Sequence, residues 1–180
     1  GFRARLKQAA EDAKSGKASI FGYYVNDPER FGIVEFDESG KVISVEEKPQ
    51  HPKSNYCITG LYFYDNRVVE MAKRVKPSWR GELEITDLTR FYLEDGTLNV
   101  QLLSRGYACL DTGTMDSLVD ASDFVRTIET RQGMQIAALE EIAYTEGWID
   151  RDTLLQSAER YGKSPYGQHL KKVAEGKIRY

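Results

Sequence analysis

The order of apolar and polar residues in the first third of the chain predicts one helix followed by short strands. Apolar residues recur at helical spacing over residues 2–13. Residues 18–25 and 56–64 are rich in β-branched and aromatic types, which favours strands, and the second run is apolar enough to be a buried central strand. Two short strands at 31–36 and 41–47 are joined by Asp-Glu-Ser-Gly, which predicts a hairpin.

The middle of the chain alternates irregularly between helical and extended patterns. Asp65 or Asn66 is expected to cap the first of these helices. Two helices and then two strands are predicted: 68–75, 86–93, 98–104 and 107–110. Arg105 and Gly106 lie between the two strands and predict a turn.

Helical periodicity governs the remainder. The segment 115–133 has the apolar stripe of a long amphipathic helix, and three shorter helices are predicted after Gly133. We therefore predict an α/β fold with a mixed sheet over residues 1–136 and a small helical appendage over 137–180. A sheet made only of these strands would be incomplete and would expose an edge.

Composition excludes some classes of function. The 180 residues carry a net charge of −3 with scattered lysines and arginines, so neither a nucleic acid nor an anionic membrane surface is an expected partner. No apolar run is long enough to span a bilayer, and the first residues lack a secretory signal core. Cys57 and Cys109, each among apolar residues, fit structural thiols, so a cytoplasmic protein is expected.

Three polar clusters are candidates for chemistry. Glu47 and Lys48 lie where Pro49 ends a strand; they could bind sugar hydroxyls and a phosphate, or form a solvated ion pair at a strand end. Arg80 precedes Gly81 in a loop and could grip a phosphate through two parallel hydrogen bonds, or be a surface arginine beside acidic residues that begin a helix.

The third cluster joins a predicted strand to the long helix. Asp111 follows apolar residues, and Gly113 would let the backbone approach a ligand closely. A carboxylate at this position suits Mg²⁺ that also binds substrate phosphates. The alternative is that Asp111 or Thr114 only caps the helix. His51 and His169 are far apart and have no ligand-spaced partners, so a zinc site is not expected.

Taken together and in order, these segments resemble the glucose-1-phosphate thymidylyltransferase family over nearly the whole chain. The matching stretches are DPERFGIVEFD, VEEKPQHPKSNY, TGLYFYD, VKPSWRGELEITDL, RGYACLDTGTMDSL, ETRQG, EEIAY, GWID and YGQHLKK. The tail from EEIAY to YGQ is typical of the short, tetrameric bacterial members. The resemblance implies the C-terminal part of a nucleotide-diphospho-sugar transferase with a Rossmann-like mixed sheet.

The resemblance also implies a reaction and a set of roles. Glucose 1-phosphate would attack the α-phosphorus of dTTP, giving dTDP-glucose for dTDP-rhamnose synthesis and releasing pyrophosphate, with Mg²⁺ as cofactor. Lys48 and Arg80 would be catalytic residues that hold the sugar phosphate, and Asp111 would be one of two aspartates on Mg²⁺. Glu47 would bind glucose hydroxyls, with Gly32 and Tyr62 lining the sugar pocket.

The family's second nucleotide site, used for feedback inhibition, is matched by four residues. They are Arg105, Gly106, Glu141 and Ile142. A homotetramer is the assembly that the resemblance implies.

The sequence departs from the family pattern in two places. Cys109 stands where the family usually has Trp, which puts the packing behind Asp111 in doubt. The family's Gly-rich phosphate loop and its GDN segment have no counterpart, and Gly1 falls just after the place of the latter, so we expect a fragment that does not turn over alone. Two alternatives stay open: a UTP- or CTP-dependent sugar nucleotidyltransferase, and a non-catalytic sugar-phosphate-binding or assembly module.

Overall fold

A computed structural model describes residues 1–178. Its residues group into two compact units, the first covering Gly1–Cys109 and the second beginning at Leu110. This grouping reflects packing, whereas the boundary predicted between residues 136 and 137 separates functional regions and stays a prediction.

The first unit is built on one mixed sheet of five strands, which confirms the predicted α/β class. The strands are β1 (Ala18–Tyr24), β2 (Gly32–Phe36), β3 (Val42–Glu47), β4 (Tyr56–Phe63) and β5 (Leu98–Leu102). Their order is β3-β2-β4-β1-β5, with β1 and β5 parallel and the other pairs antiparallel. The predicted hairpin is β2–β3, and β4 is central as expected. Strands β3 and β5 are the two edges of this sheet.

Helices cover both faces of the sheet. The first unit contains α1 (Phe2–Lys14), α2 (Val68–Ala72) and α3 (Ile85–Glu94), together with a 3₁₀ turn at Pro28–Arg30. On one face, α1 contacts β1 and β5 through Asp12, whose carboxylate accepts hydrogen bonds from Ser19 at 3.2 Å and Asn99 at 3.1 Å. Burial alone would raise the pKa of Asp12, but the hydrogen bonds from Gln8, Asn99 and Ser19 together lower it.

The main core lies on the other face, under α2 and α3. Alternation along β1 places Ala18 and Ile20 on this side. The buried apolar residues here form two neighbouring clusters: Ala18, Met71, Leu88 and Tyr92, and Ile20, Val34, Val45 and Ile58. Helix α3 presents Leu88 and Tyr92 to this core, so its first turn is held firmly against the sheet.

Two sequence predictions were wrong in detail. Helix α2 begins at Val68 with Arg67, rather than Asp65 or Asn66, in the cap position and with no side-chain cap. The Asp65 carboxylate lies two residues before that position and accepts hydrogen bonds from the Arg67 backbone N–H and the Tyr92 hydroxyl. Residues 107–110 are irregular rather than a strand. No strand in the described residues pairs with them, and an extended segment without a partner does not form a ladder. The turn at Arg105 and Gly106 is confirmed.

The second unit contains the four predicted helices. They are α4 (Met115–Gln132), α5 (Leu139–Thr145), α6 (Arg151–Tyr161) and α7 (Pro165–Ala174). Side chains of Thr114, Asp150 and Ser164 cap α4, α6 and α7 by accepting backbone N–H groups, which explains where these helices begin. A small core of Leu154, Ala158, Leu170 and Ala174 joins α6 to α7.

Candidate functional site

The site in the first unit is organised around the Glu47 carboxylate at the end of β3. In the β2–β3 ladder, Gly32 lies opposite Glu47. The Thr86 hydroxyl, in the first turn of α3, donates to Oε2 of Glu47 at 2.5 Å. A Cβ added at Gly32 would lie 2.9 Å from that hydroxyl and 3.0 Å from that carboxylate. Glycine is therefore required at position 32 to leave room for this hydrogen bond.

Arg80 joins this carboxylate from the loop before α3. Its Nη1 lies 3.7 Å from Glu47 Oε1 and 3.3 Å from Glu84 Oε1, and its Nη2 lies 2.8 Å from Glu82. Only 20% of the Arg80 side chain is exposed. Arg80 is thus not a solvated surface arginine but a cation held among three carboxylates beside the end of β3.

Lys48 follows directly on Glu47 and has an unusual backbone. Its φ of 41° lies in the left-handed region that non-glycine residues rarely adopt. Its amide donates to the Phe31 carbonyl at 3.0 Å, which holds this conformation. Such backbone strain is common where a fold must aim a side chain at a functional site.

Tyr62 on β4 belongs to the same neighbourhood. Its ring stacks on Tyr64 with centroids 5.9 Å apart. Burial raises the pKa of Tyr62 to about 12, and the nearby Tyr64 and Glu47 add to the shift, so the phenol stays protonated and can donate a hydrogen bond. The structure therefore brings together the five sugar-side residues that the sequence indicated: Gly32, Glu47, Lys48, Tyr62 and Arg80.

An irregularity in β4 lies just before Tyr62. The β1–β4 register shifts between Ile20, which pairs with Tyr62, and Gly22, which pairs with Ile58, so that Phe21 faces three residues of β4. One of these, Thr59, is buried, and its hydroxyl has no hydrogen-bond partner. Bulges that re-aim a strand occur often beside functional sites.

An open cavity of about 580 Å³ lies against the end of β3. The charged and aromatic groups around it are Glu46, Glu47, Lys48, Trp79, Glu84, Asp87 and Arg90. Glu47 and Lys48 thus face the cavity directly, whereas Gly32, Tyr62 and Arg80 adjoin it through Glu47 and Glu84.

Arg90 was missed by the sequence reasoning. Its position in the second turn of α3 gives no local signal beyond an i,i+3 pair with Asp87, at 2.7 Å. Its guanidinium also donates to the Val45 carbonyl at 3.2 Å, which fixes it beside β3. Arg90 therefore places an arginine in the cavity wall itself, whereas Arg80 only adjoins the cavity.

The predicted metal ligand lies in the second unit. Asp111 is exposed in an irregular segment before α4, and Thr114 rather than Asp111 caps that helix, sharing reciprocal hydrogen bonds with Ser117. A carboxylate oxygen is the donor type that Mg²⁺ prefers, so Asp111 fits the ion chemically. No group of three or more His, Cys, Asp or Glu side chains in residues 1–178 could hold a metal alone, so Asp111 would be one protein ligand among ligands from elsewhere.

The residues matched to a regulatory site are placed as follows. In the first unit, Arg105 and Gly106 form an exposed turn. In the second, Glu141 is buried and lies 2.6 Å from His169 Nε2, so it holds α5 against α7. Half-exposed Ile142 lines a mostly apolar cavity of about 240 Å³.

Comparison with known proteins decides the family. A family model described as nucleotidyl transferase matches residues 1–128, which include every residue of the site in the first unit. The chain belongs to the nucleotidyl transferase family. A solved structure from Bacillus anthracis, assigned as a glucose-1-phosphate thymidylyltransferase in complex with sucrose, superposes with a TM-score of 0.60 at 40% identity, covering 69% of this chain and 48% of that one.

Curated relatives agree with this assignment. The chain is 57% identical to the glucose-1-phosphate thymidylyltransferase of Neisseria gonorrhoeae over 94% of its length, and 53% identical to that of Xanthomonas campestris over 97%. It is 52% identical to that of Mycobacterium tuberculosis over 87%. It spans 58%, 59% and 54% of the length of these three relatives. Separately, no helix in the described residues is both long and apolar enough to cross a bilayer.

Proposed function

We propose that this chain binds the sugar phosphate in a glucose-1-phosphate thymidylyltransferase reaction, in which dTTP and glucose 1-phosphate give dTDP-glucose and pyrophosphate. The observation that carries the proposal is the convergence of three groups beside Lys48: the Glu47 carboxylate, the Arg80 guanidinium that forms an ion pair with it, and Gly32, which leaves room for it. The identity to named thymidylyltransferases supports the choice of nucleotide and sugar.

The residues of the site divide the recognition between them. Lys48 supplies a compact positive charge and Arg80 a planar fork, and both types bind phosphate well. Glu47 accepts hydrogen bonds from sugar hydroxyls, because Thr86 and Arg80 already fix its carboxylate. Tyr62 contributes an aromatic wall and a protonated hydroxyl.

In the transfer step, an oxygen of the glucose 1-phosphate forms a bond to the α-phosphorus of dTTP while the bond to pyrophosphate breaks. Lys48 and Arg80 hold the attacking phosphate in place and offset its negative charge, which is the main requirement in phosphoryl-type transfer. Asp111 would help to hold Mg²⁺, which supplies positive charge at the phosphates when bound.

Further parts of the proposal come from the family resemblance. They are a homotetramer, a place in dTDP-rhamnose synthesis, a cytoplasmic location and a regulatory nucleotide site at Arg105, Gly106, Glu141 and Ile142. Light scattering tests the assembly, and binding of a dTDP-sugar to the chain tests the regulatory site.

Calorimetric titration of glucose 1-phosphate into the 180-residue chain tests the proposed function. We expect binding that Lys48→Gln weakens and that Lys73→Gln, a change at an exposed ion pair at the C-terminal end of α2, leaves unchanged. Equal affinity for both variants, or no heat of binding for the unaltered chain, would contradict the assigned site.

Pyrophosphate release with dTTP, UTP and CTP in turn distinguishes the alternatives. We expect no release from the chain alone. If the chain turns over with UTP or CTP but not dTTP, the nucleotide assignment is wrong. A binding module would be favoured by a different result. In it, glucose 1-phosphate binds, but no nucleotide gives pyrophosphate release, even with a full-length relative that carries these residues.

A further inference from the structure

The carboxylates around Arg80 differ sharply in burial. Glu84 is 8% exposed, whereas Glu82 is 61% exposed. Each contacts a different nitrogen of the same guanidinium: Nη1 at 3.3 Å for Glu84 and Nη2 at 2.8 Å for Glu82. A buried charge is tolerated only when it is paired, whereas an exposed partner is easily exchanged for water or another anion.

Glu84 has a second partner besides the Arg80 guanidinium. It lies immediately before α3, where its backbone is extended and its side chain makes no cap. Its Oε1 accepts the Ser78 hydroxyl at 2.8 Å, and the same hydroxyl accepts the Arg80 backbone N–H at 3.1 Å. Glu84 and Ser78 therefore hold both the backbone and the side chain of Arg80.

The loop geometry supports the same division of roles. Gly81, with a φ of +76°, donates its N–H to the Ser78 carbonyl at 2.8 Å and closes a tight turn. The Ser78 N–H donates to the Glu82 carbonyl at 2.8 Å. The backbone of Glu82 thus belongs to the turn, while its carboxylate is free to swing away from Arg80.

We propose that Glu84 is a positioning residue that aims the Arg80 guanidinium at the sugar-phosphate site, and that Glu82 competes with the phosphate for Nη2 of that guanidinium. This inference rests on the proposed function. Three carboxylates around one arginine would repel a phosphate dianion, so the exposed one has to leave when the anion binds. The buried one stays and keeps the guanidinium in place.

The test compares Glu84→Gln with Glu82→Gln in the complete 180-residue chain. Each variant removes one negative charge beside the same guanidinium. If the carboxylates acted only through their charge, both variants would bind glucose 1-phosphate more tightly. We expect instead that Glu84→Gln weakens binding about tenfold and Glu82→Gln strengthens it about threefold. Changes of the same sign in both variants would overturn the proposal.

Nitrogen-15 NMR of the arginine side chains gives a readout that needs no sugar phosphate. The Arg80 signals are assigned from their loss in Arg80→Lys. We expect Glu84→Gln to broaden the Arg80 Nε signal and speed its proton exchange, and Glu82→Gln to leave it sharp. Equal broadening in both variants would contradict a positioning role for Glu84.

The two readouts separate failure of the inference from failure of the proposed function. If the unaltered chain bound no glucose 1-phosphate, the proposed site would be wrong, yet the Arg80 signals would still show whether Glu84 holds the guanidinium.

Should Glu84→Gln not fold, Ser78→Ala replaces it. That variant removes the hydroxyl that ties Glu84 to the Arg80 backbone, and we expect the same effects at about half the size on a logarithmic scale. An unchanged Arg80 signal in it would overturn the proposal.

Discussion

Substitution of Gly32 by alanine tests how tightly the site is built. The added methyl would lie 2.9 Å from Thr86 Oγ1 and 3.0 Å from Glu47 Oε2, closer than such atoms normally approach. Ile58 Cδ1, at 3.7 Å, limits movement on the third side. The carboxylate and the hydroxyl would have to separate, which weakens the hydrogen bond between them.

The magnitude follows from two opposing terms. Overpacking of a filled site costs about 1–3 kcal/mol, and weakening a hydrogen bond to a charged group adds to that cost. Replacing glycine lowers the entropy of the unfolded chain, which returns about 0.4–1 kcal/mol. We expect Gly32→Ala to lower the free energy of unfolding of the first unit by about 2 kcal/mol.

A matched control lies on the adjacent strand. A methyl at Gly60 meets nothing within 4 Å. Gly60→Ala should therefore be neutral or stabilise by up to about 1 kcal/mol. Urea unfolding is followed by fluorescence in a Trp148→Phe background, so that Trp79 reports on the first unit alone. If Gly32→Ala were as stable as Gly60→Ala, the close packing around Glu47 would be refuted.

Three further predictions concern single groups. Thr59→Val should raise the free energy of unfolding by about 1 kcal/mol, because it removes a buried hydroxyl that has no hydrogen-bond partner. Urea denaturation measures this change. A loss of stability would show that the hydroxyl is hydrogen-bonded. Hydrogen bonds from Tyr166 and Tyr161 lower the pKa of Glu140 below its usual 4.5. The ionised Glu140 therefore stabilises the fold above pH 4.5, and this stabilisation should be lost as the pH falls below that value. Tyr166→Phe should reduce the pH dependence of the unfolding temperature, measured by thermal unfolding between about pH 6 and 3. Burial, with Cys109 nearby, raises the pKa of Cys57 to about 11. A thiol reagent at pH 8 should therefore modify the exposed Cys109 quickly and the buried Cys57 only when the chain unfolds. Fast modification of both thiols in the folded chain would contradict this.

Local patterns predicted most of the secondary structure, because turns and caps are encoded by adjacent residues. The hairpin at residues 37–40 and the helices after Gly133 are examples. The two local errors involve distant partners. Arg67 rather than Asp65 occupies the cap position of α2, and the Asp65 carboxylate is shared with Tyr92, 27 positions away. Residues 107–110 had strand composition, but no strand among residues 1–178 pairs with them.

For the site, the sequence indicated which residues take part but not how buried each of them is. The family resemblance indicated Gly32, Glu47, Lys48, Tyr62 and Arg80, and the structure places them in one neighbourhood. Burial could not be read from the sequence. Glu82 and Glu84 look alike as acidic residues before a helix, yet one is exposed and the other buried against Arg80.

The crystal structure of this chain soaked with glucose 1-phosphate tests the central claim most directly. We predict that the phosphate lies between Lys48 and Arg80, with Glu82 turned away from the guanidinium and a sugar hydroxyl donating to Glu47. Sugar phosphate bound elsewhere, such as in the groove between β3 and α3 lined by Lys41, Val42 and Glu94, would contradict the account.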